Sequence, residues 1–269
     1  MKEKFKSGLV SITFRKETPE SIIRLAGEAG LEMIEWGSDV HVKPEDTGTA
    51  ARVGKMTADA GMSVAAYGSY YRLGERGKPC GAPDEFKRIC EAARLLGTDV
   101  IRVWGGSKSP ADLSEGELAG MAEEAQILCG YAAGYGLNIT LECHNFTVTE
   151  DHVSAASFYR RVDRDNFLAY WQPNQFRSFE YNVGALKALL PLTANIHVFS
   201  WKGHERFPLE TGEAQWMEYL RTAAEIPGPL GGRPRGLLLE FMHDDSTGTL
   251  RKAASVLKTW IEGFENETI

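Results

Sequence analysis

Four polar side chains lie at or near the ends of short apolar segments in the second half of the sequence: Glu142, Gln172, His197 and Glu240. An apolar strand that ends on a carboxylate or an imidazole is costly to bury unless that group finds a partner. Four such segments in succession therefore indicate a shared polar centre where strand ends meet. We expect this centre to bind a divalent metal ion and to transfer protons.

The donor set narrows the choice of metal. Two carboxylates, one imidazole and one amide oxygen suit Mn²⁺, Mg²⁺, Co²⁺ or Zn²⁺, and they lack the thiolates of a structural zinc site. The sequence does not choose among these four ions.

A recurring order of helix, glycine and short apolar segment predicts the elements that position these residues. Gly30, Gly61, Gly97 and Gly136 each precede a strand-like segment, as the glycine caps of helix ends do. Alternating helices and strands give a parallel sheet. Eight such units in about 250 residues fit a closed (β/α)8 TIM barrel of the α/β class. We expect one domain over residues 1–269, with strands at about 8–14, 31–36, 62–68, 99–104, 138–143, 167–172, 195–199 and 236–240.

In such a barrel the active site lies at the carboxyl ends of the strands. The four polar residues then come from the last four strands, whose neighbouring ends are about 5 Å apart. Alternate residues of a strand share a face, so His144 points the same way as Glu142 if the strand stays extended.

Composition restricts the partners. The net charge of −7 over 269 residues gives no basic surface for nucleic acid. The first residues lack the apolar stretch of a secretory signal, and no apolar run is long enough to span a membrane. The four cysteines, including Cys80, show no C-x-x-C spacing and are typical of reduced thiols that pack in a core. We expect a cytoplasmic protein that acts on a small uncharged substrate or a cation rather than on a polyanion; a homo-oligomer is compatible with the sequence, which identifies no interface.

The chain resembles the xylose isomerase-like barrels, the sugar and sugar-phosphate isomerase/epimerase superfamily. The resemblance follows the strand order of essentially the whole chain. Its most specific segments are Leu141-Glu142-Cys143-His144-Asn145, Ile196-His197-Val198, Leu209-Glu210-Thr211-Gly212-Glu213 and Leu239-Glu240. It implies that a glutamate, an aspartate, a histidine and a second glutamate hold one divalent cation. It also implies that Glu142 and Glu240 act as the acid/base pair on opposite faces of the substrate.

One departure affects the metal. Gln172 occupies the position of the family's aspartate, and Gln175 replaces a histidine that is common in the epimerases. An amide oxygen still coordinates a cation, but the ligand set loses one negative charge. Two interpretations remain open: a weaker metal site that polarises a carbonyl more strongly, or a site that has lost its metal.

The resemblance implies a metal-dependent isomerase or epimerase that removes a proton next to a carbonyl and forms an enediolate. One alternative is a dehydratase of an inosose-type keto-polyol, which uses the same first step and expels hydroxide. Another is a degenerate, non-catalytic carbohydrate-binding barrel. An abasic-site endonuclease is disfavoured, because it needs more histidines and a basic face. The sequence also lacks a clear phosphate-binding loop, which favours a free sugar or a related ketone as the substrate.

Further residues are candidates for substrate binding. His144 contacts either the substrate or the groups around the metal. Trp36 and Trp104 end two strands, where an aromatic plane either stacks on a sugar or packs in the core. A cationic contact after the seventh strand comes from one of three residues, each of which is otherwise a solvated loop charge: Lys202, His204 and Arg206.

Overall fold

The computed structural model describes residues 3–76 and 81–267. Eight parallel strands form a closed barrel in the order β1-β10-β7-β6-β5-β4-β3-β2, which confirms the predicted (β/α)8 fold. Two further short strands, β8 and β9, form an antiparallel hairpin outside the barrel. The strands are β1 Phe5–Val10, β2 Met33–Gly37, β3 Ser63–Arg72, β4 Val100–Trp104, β5 Asn138–Glu142, β6 Phe167–Trp171, β7 Thr193–Val198, β8 Trp201–Lys202, β9 Glu205–Arg206 and β10 Arg235–Leu239.

The helices surround the barrel and begin with caps that are visible in the sequence. Thr18 caps the first helix, and Ser114 with Glu117 forms a capping box on the fourth. The four glycines predicted to end helices have positive φ. The helices are α1 Pro19–Glu28, α2 Thr47–Asp59, α3 Asp84–Leu96, α4 Glu115–Ala133, α5 His152–Val162, α6 Phe179–Leu189, α7 Glu213–Ala223 and α8 Leu250–Glu267.

The first strand is a correction to the prediction. It spans Phe5–Val10 rather than about 8–14, and Ser11–Phe14 forms a buried 3-10 turn. Two side chains hold this turn at the carboxyl end of the barrel. Ser11 Oγ accepts a hydrogen bond from the Gly37 amide at 2.9 Å, and Thr13 Oγ1 accepts one from the Phe241 amide at 3.0 Å. Apolar residues in this segment therefore pack without forming strand hydrogen bonds.

Alternation along the strands divides the core in two. The outward-facing residues pack against the helices in one large cluster. A smaller cluster, which includes Val10, Ala66, Val100 and Leu238, fills the barrel interior. On β4 and after β10, the next inward-facing residues toward the carboxyl ends are Arg102 and Glu240, so a polar mouth lies above this apolar cluster.

The cysteines that the structure describes are free thiols. Cys90 and Cys129 are buried, and Cys143 is partly buried beside the polar mouth. Cys80 lies outside the described residues.

Arg235 joins several backbone segments at the amino end of the barrel. It is 2% exposed, and burial lowers its pKa to about 10. Its guanidinium donates to five backbone carbonyls, at distances that range from 2.6 to 3.3 Å. The acceptors are the carbonyls of Leu190, Thr193, Ala223, Ile226 and Pro227. The side chain therefore satisfies carbonyls near the ends of α6 and α7, which helix termini leave without partners.

We predict that Arg235→Met destabilises the fold. The free energy of unfolding should fall by about 3 kcal/mol or more, because each buried carbonyl left without a donor costs about 1–3 kcal/mol. The control is Arg233→Met, which removes an exposed guanidinium paired with Asp99 at 2.7 Å. That change should cost at most about 1 kcal/mol. Urea denaturation of both variants measures the difference, and equal losses would refute the role of Arg235.

Candidate functional site

The structure brings the four predicted polar residues together at the mouth of the barrel. Glu142, His197 and Glu240 are buried, and one ligand atom of each lies within 4.8 Å of the others. His197 Nδ1 is 3.5 Å from Glu240 Oε2 and 3.7 Å from Glu142 Oε1. Gln172 is also close, with its Oε1 at 2.9 Å from the same nitrogen. His197 Nδ1 is therefore the common point of the cluster.

A cavity of about 230 Å³ opens above this cluster. Glu142, Gln172 and Glu240 line this cavity together with several aromatic rings. The aromatic residues in its lining include Tyr70, Trp104, Trp171, Tyr181, Phe199, Trp201 and Phe241. The volume and the mixed lining are those of a site for a small polar organic molecule.

Two charged residues of the site were missed by the sequence analysis. Glu35 on β2 is fully buried, and Arg102 on β4 is 2% exposed. Arg102 Nε donates to Glu35 Oε1 at 2.7 Å, and its NH1 forms a short ion pair with Glu142 Oε2. The other Glu35 oxygen, Oε2, lies 3.2 Å from His197 Nε2.

The sequence contains a signal that could have identified Glu35 and Arg102 as site residues. Each is a charged residue inside an otherwise apolar strand segment, Met33-Ile34-Glu35-Trp36 and Val100-Ile101-Arg102-Val103-Trp104. Such a residue needs a partner when the strand is buried.

The absence of a side chain at Gly68 makes room for this ion pair. A Cβ at that position on β3 would lie 2.8 Å from Arg102 NH2 and 2.9 Å from Glu35 Oε1. Those separations are too short for carbon against nitrogen or oxygen atoms. Glycine at position 68 therefore lets the two side chains meet across the barrel interior.

The buried charges shift one another's pKa values. Burial acts to raise the pKa of Glu35, but Arg102 and His197 outweigh it and lower that pKa to about 2. Burial acts to lower the pKa of Arg102, and the carboxylates of Glu142 and Glu35 raise it well above its ordinary value. Glu35 and Arg102 are therefore a permanently charged pair.

His197 and Glu240 differ from that pair. Burial acts to lower the pKa of His197, but Glu240, Glu35 and Glu142 together raise it. The pKa of Glu240 is raised chiefly by burial, with His197 opposing and Glu142 adding to the rise. The two glutamates that face the cavity therefore have different surroundings, since Glu142 forms an ion pair with the guanidinium of Arg102 and Glu240 lies 3.5 Å from His197 Nδ1.

The predicted substrate-binding residues divide into three groups. The prediction that Trp36 binds substrate is wrong. Its ring is fully buried, and its Nε1 donates to Thr57 Oγ1 of α2 at 3.2 Å. Trp36 therefore packs between the barrel and a helix. Trp104 and His144 both line the cavity, with ring centroids 4.3 Å apart. They are placed where a substrate could contact them.

The third group lies on the β8–β9 hairpin. Lys202 and His204 are exposed there. Arg206 pairs with Asp245 and lies over the rings of Trp201 and Phe241, at 4.9 and 5.0 Å from their centroids. The hairpin thus contributes the ring of Trp201 to the cavity, and Arg206 connects the hairpin to Phe241, which follows β10. The predicted cationic contact with substrate stays a prediction.

Another cation, Arg15, also lines the cavity. Arg15 follows the 3-10 turn, is paired with Asp39, and donates to Tyr70 Oη at 2.8 Å. The sequence gives no signal for Arg15 as a site residue, because a charged residue after a strand is ordinary on a loop.

The donor atoms fit one divalent cation. Ligand atoms that each lie about 2.1 Å from a metal are separated from one another by about 3–3.5 Å. The distances from His197 Nδ1 are 2.9 Å to Gln172, 3.5 Å to Glu240 and 3.7 Å to Glu142. Arg102 engages only Oε2 of Glu142, so Oε1 stays directed toward His197. The same four residues that the sequence predicts could therefore hold the ion after small movements.

The family model for the xylose isomerase-like TIM barrel matches residues 23–232. This chain is a xylose isomerase-like TIM barrel. The resemblance drawn from the sequence motifs is confirmed. Within the described residues, none of the helices of this barrel has the length and apolar character needed to cross a bilayer.

Relatives of this xylose isomerase-like barrel include a 3-dehydroshikimate dehydratase from Bacillus anthracis. It is 24% identical over 177 residues, an alignment that covers 62% of this chain and 63% of the relative. The chain thus matches less than two thirds of that protein's length.

Solved structures show the same fold at lower identity. The probable 3-DHS dehydratase of petrobactin synthesis from Bacillus anthracis has a TM-score of 0.74 at 18% identity, covering 94% of this chain and 98% of that one. An L-ribulose 3-epimerase has a TM-score of 0.72 at 15% identity, covering 98% and 96%. A xylose isomerase-like barrel from Mycobacterium smegmatis in complex with magnesium has a TM-score of 0.70 at 13% identity, covering 96% and 97%.

We predict that Gly68→Ala disrupts the buried ion pair. The added methyl group should lower the free energy of unfolding by about 1–3 kcal/mol, as overpacking of a tight interior does. Gly130→Ala is the matched control, because Gly130 lies on the exposed side of α4 and its Cβ would meet nothing within 4 Å. That substitution should be neutral or stabilising by about 0.5–1 kcal/mol. Chemical denaturation of both variants provides the measurement; similar values would show that position 68 is not crowded.

Proposed function

We propose that this protein is a divalent-metal-dependent isomerase or epimerase of a small, carbohydrate-like hydroxy-carbonyl compound. The observation that carries the proposal is the pair Glu142 and Glu240. Both line one cavity beside His197, and they have different electrostatic surroundings. Reversible proton transfer at carbon needs one carboxylate that accepts a proton and another group that supplies one.

The metal would be held by Glu142, Gln172, His197 and Glu240. When bound, it would polarise the substrate carbonyl and stabilise negative charge on oxygen, an effect worth several kcal/mol. The amide of Gln172 contributes no charge, so the ligand set carries two carboxylates. The ion is Mn²⁺, Mg²⁺, Co²⁺ or Zn²⁺ by donor type.

Glu142 is placed to act as the base. Its ion pair with Arg102 holds the carboxylate in one orientation at the edge of the cavity. It takes the proton from the carbon next to the substrate carbonyl, which leaves an enediolate. A positioned carboxylate base contributes on the order of 10²–10⁴ in rate.

Glu240 is placed to return a proton. It lines the same cavity as Glu142, and its Oε2 lies 3.5 Å from His197 Nδ1. Transfer of that proton to the opposite face of the same carbon gives an epimer, and transfer to the neighbouring carbon with a shift of the hydroxyl proton gives an isomer. The reverse reaction exchanges the roles of the two glutamates.

The lining of the cavity is consistent with a polyhydroxylated substrate. Trp104, Trp201 and Phe241 offer ring faces on which the C–H face of a sugar could stack. Amide side chains such as Asn145 and Gln175 lie in the same lining and could bond to hydroxyl groups.

A dehydratase is the second candidate. It is favoured by the similarity to the Bacillus anthracis 3-dehydroshikimate dehydratase over part of both chains. The first step is the same removal of a proton next to a carbonyl. In the second step a hydroxyl group leaves from the adjacent carbon, and the protonated glutamate supplies the proton that converts it to water.

We predict that the Mn²⁺-loaded protein exchanges a substrate carbon-bound proton for deuterium in D₂O. A panel of ketoses and cyclic keto-polyols, followed by proton NMR and mass spectrometry, tests this. Glu142→Gln and Glu240→Gln should each lower the exchange rate by about 10²-fold or more. Unchanged product mass after correction for deuterium supports the isomerase, and loss of one water supports the dehydratase.

Glu124→Gln is the control for this experiment. Glu124 is a buried glutamate on α4 that accepts bonds from Tyr71 Oη and the Gly74 amide, each at 2.6 Å, and it is not part of the cavity. Exchange should persist in this variant. Wild-type exchange rates in Glu240→Gln would contradict the assignment of the acid, and ligand binding without any exchange would leave a non-catalytic carbohydrate-binding barrel as the better account.

A further inference from the structure

Glu35 and Arg102 contact the side chains of proposed metal ligands and have no role in the proton transfers described above. Both are buried, and together they contact two of the ligands. We infer that Glu35 is a positioning residue that selects Nδ1 of His197 as the metal-binding nitrogen, and that Arg102 fixes Glu35 and Glu142 for this purpose. The inference rests on the metal-dependent function proposed above.

The tautomer of His197 decides which of its ring nitrogens can bind a cation. A neutral imidazole has one N–H and one lone pair, and only the nitrogen with the lone pair binds a cation. Glu35 Oε2 lies 3.2 Å from Nε2 and, as a carboxylate oxygen, accepts a hydrogen bond from an N–H at that position. The lone pair is then on Nδ1. That nitrogen is the one directed at Gln172, Glu240 and Glu142.

The neighbours of Glu35 fix the orientation of its carboxylate. Its Oε1 accepts from Arg102 Nε at 2.7 Å, while its Oε2 faces His197. Each carboxylate oxygen thus has its own donor. Because the guanidinium is planar and rigid, the bond from Nε also fixes the direction of NH1 toward Glu142.

Arg102 also fixes the orientation of the Glu142 carboxylate. The short bond from Arg102 occupies Oε2 and leaves Oε1 toward His197. One rigid side chain therefore sets the positions of a ligand carboxylate and, through Glu35, of the ligand imidazole. Partners of this kind, which orient metal ligands without touching the metal, typically change metal affinity about 10–100-fold when they are lost.

Glu35→Gln tests this inference with little change in shape. The variant side chain has one acceptor oxygen and one NH₂ donor, whereas Glu35 receives donors at both oxygens. If the NH₂ group faces His197, Nε2 must become the acceptor and Nδ1 carries the proton, which blocks the metal. If it faces Arg102, two donors oppose each other and the guanidinium loses its fixed direction. Either arrangement weakens the site.

The experiment is calorimetric titration of Mn²⁺ into the metal-stripped wild-type protein and into Glu35→Gln. We expect the dissociation constant to rise about 10–100-fold in the variant. Glu124→Gln, which makes the same substitution at a buried glutamate outside the cavity, should leave the dissociation constant unchanged. A purely structural role of Glu35 would lower stability in the variant without changing the affinity of the folded protein.

A second measurement needs no variant. In the Zn²⁺-loaded wild-type protein, ¹⁵N NMR of the His197 ring should show a proton on Nε2 and none on Nδ1. A proton on Nδ1, or equal Mn²⁺ affinity in the wild type and Glu35→Gln, would overturn the inference. A wild-type protein that binds no metal would instead contradict the proposed function, so the two failures are distinguishable.

Discussion

The mouth of this barrel depends on the burial of three carboxylates with a single guanidinium among them. Glu35, Glu142 and Glu240 are at most 6% exposed, and Arg102 is 2% exposed. Isolated charges at this depth cost several kcal/mol each, so they must be compensated by partners, protons or a bound cation. Arg102 compensates one charge and, by bonding to both Glu35 and Glu142, joins strands β2, β4 and β5. The remaining negative charge is on the carboxylates that surround His197, where a divalent cation would balance it.

The fold provides this arrangement through alternation along parallel strands. Val100 on β4 and Leu238 on β10 belong to the apolar interior, while Arg102 and Glu240, two positions further toward the carboxyl ends, are charged. A glycine at position 68 is required between β2 and β4, because a Cβ there would touch both members of the ion pair. The same alternation that builds the core therefore gathers the charged groups at one end of the barrel.

The sequence predicts much of this because it depends on local pattern. Glycine caps and apolar segments were sufficient for eight strands and the barrel, and the motifs around Glu142, His197 and Glu240 were sufficient for the family. The first strand is predicted too far along the chain because Ser11–Phe14 alternates polar and apolar residues as a strand does, whereas contacts with residues far along the chain hold it as a 3-10 turn.

Other features could not be derived from local pattern. The Glu35–Arg102 pair joins residues 67 positions apart, and its geometry requires the barrel to be closed. Trp36 has the same sequence signal as Trp104, but it faces α2 because neighbouring residues of a strand point to opposite sides. Had this alternation been applied to β2 and β4, Glu35 and Arg102 would have been selected as inward-facing charges.

We propose that one divalent ion binds at Glu142, Gln172, His197 and Glu240 while the ion pair between Arg102 and Glu142 stays intact. A crystal structure of the protein with Mn²⁺, with anomalous diffraction data, tests it most directly. The account predicts one anomalous peak bonded to His197 Nδ1, Glu142 Oε1, Glu240 and the Gln172 oxygen, with Glu35 on Nε2 and Arg102 on Glu142 Oε2. A peak elsewhere, ligation through His197 Nε2, or an empty cluster at saturating Mn²⁺ would contradict it.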